Sequence, residues 1–389
     1  MDPRDFTCGI EFANDPQIVG GSNPDFGPAE CAGMARAVKF SNVWWQHLEP
    51  GAFPPSVSDA LRFNWPWLDE QVNAWWDAGF TEIGFVVATG HHSFYTAPTY
   101  TAPDGFPASA VSSYPPKNAS AYSAYARLID RLVTRYAGKL KWIEIESEWQ
   151  SPSWFEGGID DYLEMLHTAR SAVAASANPS VKVCLGGHTF DDLLDDDPDD
   201  ATIEARLASR PEPFQTIARR AIELGQLGLQ DGDYDIVEIH SLSAPSGIGP
   251  AVRRSRVYMP AESTAEIWIG DAFPGMVVLY NDLRFNNPAP EDAMNGAYAQ
   301  LASGNPNAVA KFLAGQVRTT REKIAAAIAA GCSRMHLGPI FDWPITTGYP
   351  FQGLFDAAGR RRPVCQVIQS WAMQHRNPSY GSFIALSGR

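Results

Sequence analysis

The stretch KWIEIESEWQ, residues 141–150, alternates apolar and charged side chains in the way that a half-buried strand does. Its three glutamates, Glu144, Glu146 and Glu148, share one parity, and the isoleucines between them share the other. Carboxylates in line on one face of a buried strand are costly unless they are paired with cations or used in chemistry. The stretch therefore predicts a strand whose polar face is either ion-paired or functional.

Outward from this strand, the chain alternates predicted strands and helices over its whole length. Strands are predicted over residues 7–13, 37–45, 80–90, 141–149, 181–190, 234–243, 264–273 and 334–343, with helices over 63–79, 121–138, 158–176, 214–228, 309–331 and 363–375. Such alternation implies a parallel sheet, because each crossover returns the chain in the same direction. Eight units of this kind predict an α/β fold, a single (β/α)8 TIM barrel, with residues 1–389 as one domain.

The main competing fold is an open, doubly wound sheet. That fold usually carries a glycine-rich phosphate turn after its first strand. Here the first predicted strand leads into EFANDPQIVGGSNPDFGP, residues 11–28, which has no G-x-G-x-x-G spacing. The closed barrel is therefore the favoured architecture.

The formal net charge of −14 argues against nucleic acid and against anionic membrane surfaces as partners. No apolar run is long enough to cross a bilayer. The start, MDPRDFTCGI, lacks the basic and then apolar pattern of a signal peptide, which slightly favours a cytoplasmic protein unless a signal has been removed. The five cysteines are few and scattered, which predicts buried thiols rather than a disulfide framework or a zinc site.

Two carboxylates lie at the carboxyl ends of predicted strands four and seven, where barrel enzymes place their active sites: Glu148, and Asp271 in EIWIGDAF. Strands four and seven lie roughly across the barrel mouth from each other, and a facing carboxyl pair suits the hydrolysis of a glycosidic bond. For Asp271 a helix N-cap or a loop carboxylate is an equal alternative. Glu144, deeper in the strand, is expected to pair with an interior cation such as Lys39 or Arg334, and Glu146 stays undecided.

Several longer segments resemble glycoside hydrolases of clan A, nearest to the branch of the β-xylosidases and iduronidases. The resemblance covers nearly the whole chain and is carried by the order and spacing of its motifs. They are VKFSNVWWQHLEPG (38–51), LRFNWPWLDEQVNAWWDAGF (61–80), the segment from IEIESEWQ at 143 to the LGG that ends at 187, YDIVEIHSLS (234–243) and GLFDAAGRRRP (353–363).

This resemblance implies that Glu148 is the general acid/base and Asp271 the nucleophile. Three residues depart from the family pattern: Ser147 stands where the family has Asn, Trp149 where it has Pro, and Asp271 where it has Glu. The shorter Asp271 could widen the gap between the two carboxyl groups. A retaining reaction, an inverting reaction and an inactive carbohydrate-binding barrel (a pseudoenzyme) therefore all stay open.

Further side chains at predicted strand ends are expected to bind the sugar, although buried core residues are the alternative. Aromatic rings at a barrel rim can pack against sugar rings. The histidine of strand six is included because the resemblance implies that it lies near the sugar. The substrate-binding residues predicted in this way are Trp45, His91, Ser147, Trp149, His240, Asp342 and Trp343.

No cofactor and no metal site is predicted, and a carbohydrate is the expected partner. His91 and His92 are neighbours on a strand, so their side chains point in opposite directions and rarely bind one ion. The acidic run FDDLLDDDPDD, residues 190–200, lacks the spacing of a calcium loop and is expected to be a solvated loop. The sequence makes no prediction about the oligomeric state.

Overall fold

The computed structural model describes residues 5–13, 27–54, 56–103, 112–189, 200–242, 244–273, 299–342 and 351–374. Eight parallel strands follow one another around a closed barrel, and the first strand pairs with the last. They are β1 (Thr7–Glu11), β2 (Ala37–Trp44), β3 (Glu82–Ala88), β4 (Leu140–Ile145), β5 (Lys182–His188), β6 (Ile236–His240), β7 (Glu266–Gly270) and β8 (Arg334–Leu337). The predicted (β/α)8 TIM barrel is confirmed.

Helices surround the barrel and bury their apolar faces against the outer side of the strands. They are α1 (Trp45–Leu48), α2 (Asp59–Arg62), α3 (Trp65–Asp77), α4 (Ala119–Arg135), α5 (Ile159–Ala175), α6 (Asp200–Ala208), α7 (Glu212–Asp231), α8 (Ile248–Tyr258), α9 (Pro306–Ala330) and α10 (Val364–Gln374). In α4, for example, Tyr125, Leu128 and Leu132 recur at helical spacing and are fully buried. Among the described residues, no helix has both the length and the apolar character that a membrane span needs.

The amino-terminal end of the barrel interior is filled by large apolar side chains. Ala37, Trp142, Cys184, Ile236 and Trp268 form a buried cluster there. Gly84 makes room for this layer, because a Cβ at that position would come within 1.9 Å of the Trp142 ring. Since this end is closed by packed side chains, the polar interior lies toward the carboxyl ends of the strands.

A bulge in β2 changes which of its side chains face the barrel interior. Phe40 pairs with Phe85 on β3, but the next pairs are Val43 with Val87 and Trp44 with Ala88, and Asn42 between them has φ +46°. The extra residue reverses the alternation of side chains along the strand. Residues 39 and 44 therefore project to the same side of the sheet despite their odd spacing.

The cysteine prediction is confirmed. Cys8, Cys31, Cys184, Cys332 and Cys365 are all buried, and none of them forms a disulfide. Burial raises the pKa of the Cys365 thiol to about 11, and it raises the pKa of the other four thiols still further. These thiols act as core side chains.

Candidate active site

Three side chains from β4, β6 and β7 meet at the carboxyl-terminal mouth of the barrel. Glu148 follows β4, His240 is the last residue of β6, and Asp271 directly follows β7. Nδ1 of His240 lies 2.9 Å from Oε1 of Glu148 and 3.2 Å from Oδ2 of Asp271. One potential ligand atom of each side chain lies within 4.8 Å of the other two. The chain thus brings together the two carboxylates that the sequence singles out, with an imidazole between them.

The two carboxylates and the histidine differ in their access to solvent. The side chains of Glu148 and Asp271 are each 14% exposed, whereas His240 is fully buried. Gly187 makes room for the imidazole, because a Cβ there would lie 1.7 Å from Nε2 of His240. The histidine therefore supports the carboxylates from beneath, and the carboxylates face the open mouth.

Lys39 lies below this group at the centre of the barrel. Its ammonium nitrogen is 3.1 Å from Glu11, 3.3 Å from Glu144 and 3.8 Å from Asp271, and it forms a short ion pair with Glu238. The expectation that Glu144 pairs with an interior cation is confirmed for Lys39. Arg334, the other cation considered, instead pairs with Glu82 at the opposite end of the barrel.

These contacts determine the charge of the buried cations. Burial alone lowers the pKa of His240, but Asp271, Glu148 and Glu238 raise it, and the net pKa is well above its usual value. Burial likewise opposes the charge of Lys39, and the surrounding carboxylates raise its pKa well above the usual value. Both side chains therefore carry a positive charge at neutral pH.

The pKa values of the buried carboxylates around Lys39 shift in opposite directions. Burial raises the pKa of Glu238, but Lys39, His240 and His336 lower it more, so Glu238 stays ionised. Burial raises the pKa of Glu11 well above its usual value and raises that of Glu144 to about 7. The barrel centre thus keeps Glu238 charged beside Lys39 and favours the neutral form of Glu11, whereas Glu144 titrates near neutral pH.

The backbone around both candidate catalytic carboxylates is strained. Glu146, Glu148 and Asp271 have φ values of +57°, +46° and +42°, in the left-handed region that residues with a Cβ avoid. Outliers of this kind are typical of functional sites held in place by the surrounding structure. They also explain why strand parity fails here, since β4 ends at Ile145 and the following glutamates do not continue its alternation.

Glu146, which the sequence left undecided, turns away from Glu148 toward β3. Its Oε1 accepts hydrogen bonds from the backbone N–H of Thr89 at 2.8 Å and from the Thr89 hydroxyl at 3.0 Å. The side chain is buried, and burial raises its pKa to about 7. Glu146 therefore links the end of β4 to the end of β3, and its side chain does not lie between Glu148 and Asp271.

Two other predicted binding residues remain accessible near the mouth. Ser147 is half-buried beside Glu148. His91 is exposed, stacks on Tyr114 with 4.0 Å between ring centroids, and places Nε2 2.8 Å from the hydroxyl of Ser112. Both side chains can therefore be reached by a ligand.

For two predicted sugar-binding tryptophans the structure contradicts the sequence analysis. Trp45 is fully buried, stacks on Tyr95 and donates its indole N–H to Glu49. Trp149 is also fully buried, stacks on Tyr162 at 3.8 Å and donates to the carbonyl of Gly186. A ring without solvent exposure cannot contact a sugar, so both residues belong to the core, and the same correction applies to the predicted sugar contact of His240, whose imidazole is also fully buried.

Asp342 is a further correction. Its carboxylate pairs with both terminal nitrogens of Arg362 at 2.7 Å and accepts the backbone N–H of Gly353 at 2.9 Å. These partners occupy the side chain and give Asp342 a structural role. Trp343 and residues 190–199 of the acidic run lie outside the described residues.

Sequence reasoning missed the contacts of Lys39 with Asp271 and Glu238. A signal for part of this network was present, because Glu238 and His240 share one parity of β6 and both face the interior. Within the described ranges, two groups of side chains could in principle hold a metal ion: Glu144 with Glu238 and His240, and Glu148 with His240 and Asp271. Both groups share His240, so a metal would compete with its proton.

Comparison with known proteins gives matches in structure alone. No protein-family model matches the sequence, and no curated protein matches it. A family 39 glycoside hydrolase from Bacteroides cellulosilyticus WH2 aligns over 97% of this chain and 66% of its own, with 13% identity and a TM-score of 0.51. An exo-β-1,4-mannosidase from Opitutaceae bacterium strain TAV5 aligns over 95% of this chain and 59% of its own, with 15% identity and a TM-score of 0.52.

A third similar structure is the GH5_18 protein from Bifidobacterium longum subsp. longum in complex with Manβ1-4GlcNAc. It aligns over 96% of this chain and 79% of its own, with 15% identity and a TM-score of 0.52. This chain therefore spans less than two thirds of the first two proteins and most of the third. At these identities the likeness is one of fold: the chain shares the (β/α)8 barrel of solved glycoside hydrolase structures.

Proposed function

We propose that this protein is a retaining glycoside hydrolase, with Glu148 as general acid/base and Asp271 as nucleophile. The observation that carries the proposal is the placement of these carboxylates at the ends of β4 and β7, with an oxygen of each within 4.8 Å of the other. Both side chains are partly exposed at the barrel mouth. The solved structures of similar fold are glycoside hydrolases, which supports a carbohydrate as substrate.

The carboxylate separation favours retention over inversion. Retaining enzymes hold the two carboxyl groups about 5–5.5 Å apart, whereas inverting enzymes hold them about 6.5–9.5 Å apart to leave room for water. An oxygen of Glu148 lies within 4.8 Å of an oxygen of Asp271, which is closer to the retaining separation than to the inverting one. The shorter side chain of Asp271 therefore does not widen the gap between the two carboxyl groups.

The surroundings of each carboxylate fit its proposed role. Oδ1 of Asp271 faces Lys39 at 3.8 Å and Oδ2 faces His240 at 3.2 Å, so two buried cations orient the carboxylate that is proposed as the nucleophile. Oε1 of Glu148 accepts the N–H of His240. The other oxygen of Glu148 is left to carry the proton for the leaving group.

The proposed reaction proceeds in two displacements. First, a carboxylate oxygen of Asp271 bonds to the anomeric carbon, and the bond to the leaving oxygen breaks with its electron pair. Glu148 transfers its proton to that oxygen. Then the Glu148 carboxylate removes a proton from water, and the water oxygen displaces Asp271 from the anomeric carbon. The product keeps the configuration of the substrate.

The experiment is a screen of p-nitrophenyl glycosides and oligosaccharides with the wild type, Glu148→Gln and Asp271→Asn. We expect hydrolysis by the wild type, a loss of about 10³-fold or more in both variants, and a first-formed product with the substrate's anomeric configuration by NMR. An inverted first product would make Asp271 a general base. Binding of oligosaccharides without hydrolysis by any variant would replace the proposal with a carbohydrate-binding pseudoenzyme.

A further inference from the structure

Trp44 is the last residue of β2, and the strand pairing shows which way it faces. It pairs with Ala88 on β3. Ala88 has the parity of Val86, which pairs with Glu144, a side chain that reaches Lys39 inside the barrel. Paired residues in parallel strands project to the same face of the sheet. Trp44 therefore faces the barrel mouth, above Lys39.

The indole of Trp44 is supported on one side and accessible on another. A Cβ on Gly90 would lie 2.9 Å from Cε3 of Trp44, so the ring packs directly against the backbone of Gly90. The ring of His47 meets it edge-on, with 6.4 Å between centroids. Trp44 is nevertheless only half-buried, unlike the adjacent Trp45. A fixed aromatic surface is thus presented to the mouth.

We propose that Trp44 is the aromatic platform on which a sugar ring packs while its glycosidic bond lies between Glu148 and Asp271. This inference rests on the proposed function and adds to it a specificity-determining residue and a class of substrate. An indole face binds the apolar C–H face of a pyranose and leaves the hydroxyl groups to polar partners. The substrate class is therefore pyranosides that turn a C–H face toward Trp44, for which xylosides and glucosides serve as probes.

The test compares Trp44→Ala and Trp44→Phe with Trp76→Ala. Trp76 is a matched control because it is half-buried on the outer helix α3, where Lys139 lies 5.5 Å from its ring centroid. With p-nitrophenyl β-xyloside and β-glucoside, we expect Trp44→Ala to lower kcat/KM about tenfold, mainly through KM. That loss corresponds to about 1.4 kcal/mol. Trp44→Phe keeps kcat/KM within about threefold, because it keeps an aromatic face, and Trp76→Ala leaves it unchanged.

Two results separate this inference from the proposed function. If the wild type hydrolyses these substrates and Trp44→Ala matches it in KM and kcat, the platform is wrong and the hydrolase proposal stands. If the wild type hydrolyses nothing, calorimetric titration with xylobiose and cellobiose tests the platform alone. Binding that weakens about tenfold in Trp44→Ala supports it, and binding that is absent or unaltered overturns it. Thermal unfolding of each variant verifies that it is folded.

Discussion

The imidazole of His240 donates a hydrogen bond to Oε1 of Glu148 over 2.9 Å from a position without solvent exposure. The same nitrogen lies 3.2 Å from Asp271, so a single buried cation contacts both proposed catalytic carboxylates. Its other nitrogen lies 3.7 Å from Glu238, which in turn pairs with Lys39. The orientation of the proposed catalytic pair thus depends on His240, Glu238 and Lys39, which are all buried.

His240 is therefore expected to act as a positioning residue. In His240→Gln, Glu148 loses a charge-assisted hydrogen bond and Asp271 loses a cation at 3.2 Å, so neither carboxylate is held in position. We expect kcat to fall about 10²-fold, with KM changed by less than about threefold. The exposed His167, paired with Asp233 on the outside of the barrel, provides the control variant His167→Gln. An unchanged kcat in His240→Gln would reduce His240 to a packing role.

Lys39 is expected to be essential for folding stability. Lys39→Met leaves the ionised Glu238 buried without its main counter-charge, which costs about 3–5 kcal/mol of unfolding free energy. The double variant Lys39→Met/Glu238→Gln should regain part of this loss, because it removes the stranded charge as well. Urea unfolding measures the unfolding free energy of both variants. Lys141→Met is the control, because Lys141 is exposed. Additive effects of the two substitutions would contradict the ion pair.

The raised pKa of Glu146 predicts that the free energy of unfolding depends on pH. Its pKa of about 7 in the folded protein lies above the ordinary value of 4.5, so the folded state binds the proton more tightly than the unfolded state. This contribution to stability is complete below pH 4.5 and is lost as the pH rises through 7. Glu146→Gln keeps an oxygen acceptor for Thr89 and carries no charge. It should nearly match the wild type at pH 4.5 and exceed it by about 3 kcal/mol at pH 8.

Thermal unfolding of the wild type and of Glu146→Gln across this pH range tests the prediction. Glu70→Gln is the matched control, because Glu70 is exposed on α3. If the wild type and Glu146→Gln differ in unfolding temperature by the same amount at every pH, Glu146 titrates alike in the folded and the unfolded state, and the prediction is wrong.

Adjacent tryptophans should differ sharply in their contribution to stability. Trp45 is fully buried against Tyr95, His92 and Tyr125, so Trp45→Ala should cost about 3–5 kcal/mol of unfolding free energy. Trp44 is half-buried, and Trp44→Ala should cost clearly less. Equal losses in urea unfolding would place both rings in the core and contradict the orientation derived from the strand pairing.

The periodicity of the sequence predicted the barrel well, because strand and helix patterns depend on local alternation that core burial enforces. Eight strands were predicted in the correct order, and the pairing of Glu144 with Lys39 followed from strand parity. Helix α8 was missed. Gly249 and Pro250 lie in its first turn, where both are tolerated, although the pair suggests a loop.

One error at the site comes from a place where strand parity fails. Continued alternation from Lys39 points Trp45 inward, but the bulge at Asn42 turns Trp44 inward instead. Nothing in the sequence of β2 marks this insertion. Trp149 was misplaced for a different reason, since its place at a strand end was weighed above its parity, which is that of Ile143 and Ile145 and points outward, where it stacks on Tyr162. Glu148 and Asp271 could still be selected, because a position at a strand end does not depend on parity.

The left-handed backbone at Asn42, Glu146, Glu148 and Asp271 lowers the stability of the fold at and near the proposed catalytic residues. Such a residue costs on the order of 1 kcal/mol relative to glycine, less for Asn and Asp; Glu146, Glu148 and Asp271 follow the carboxyl ends of β4 and β7, and Asn42 lies at the bulge near the end of β2. A library selected for heat resistance alone would accept glycine at these positions first. The variants recovered from it would be more stable barrels that had lost both proposed catalytic carboxylates.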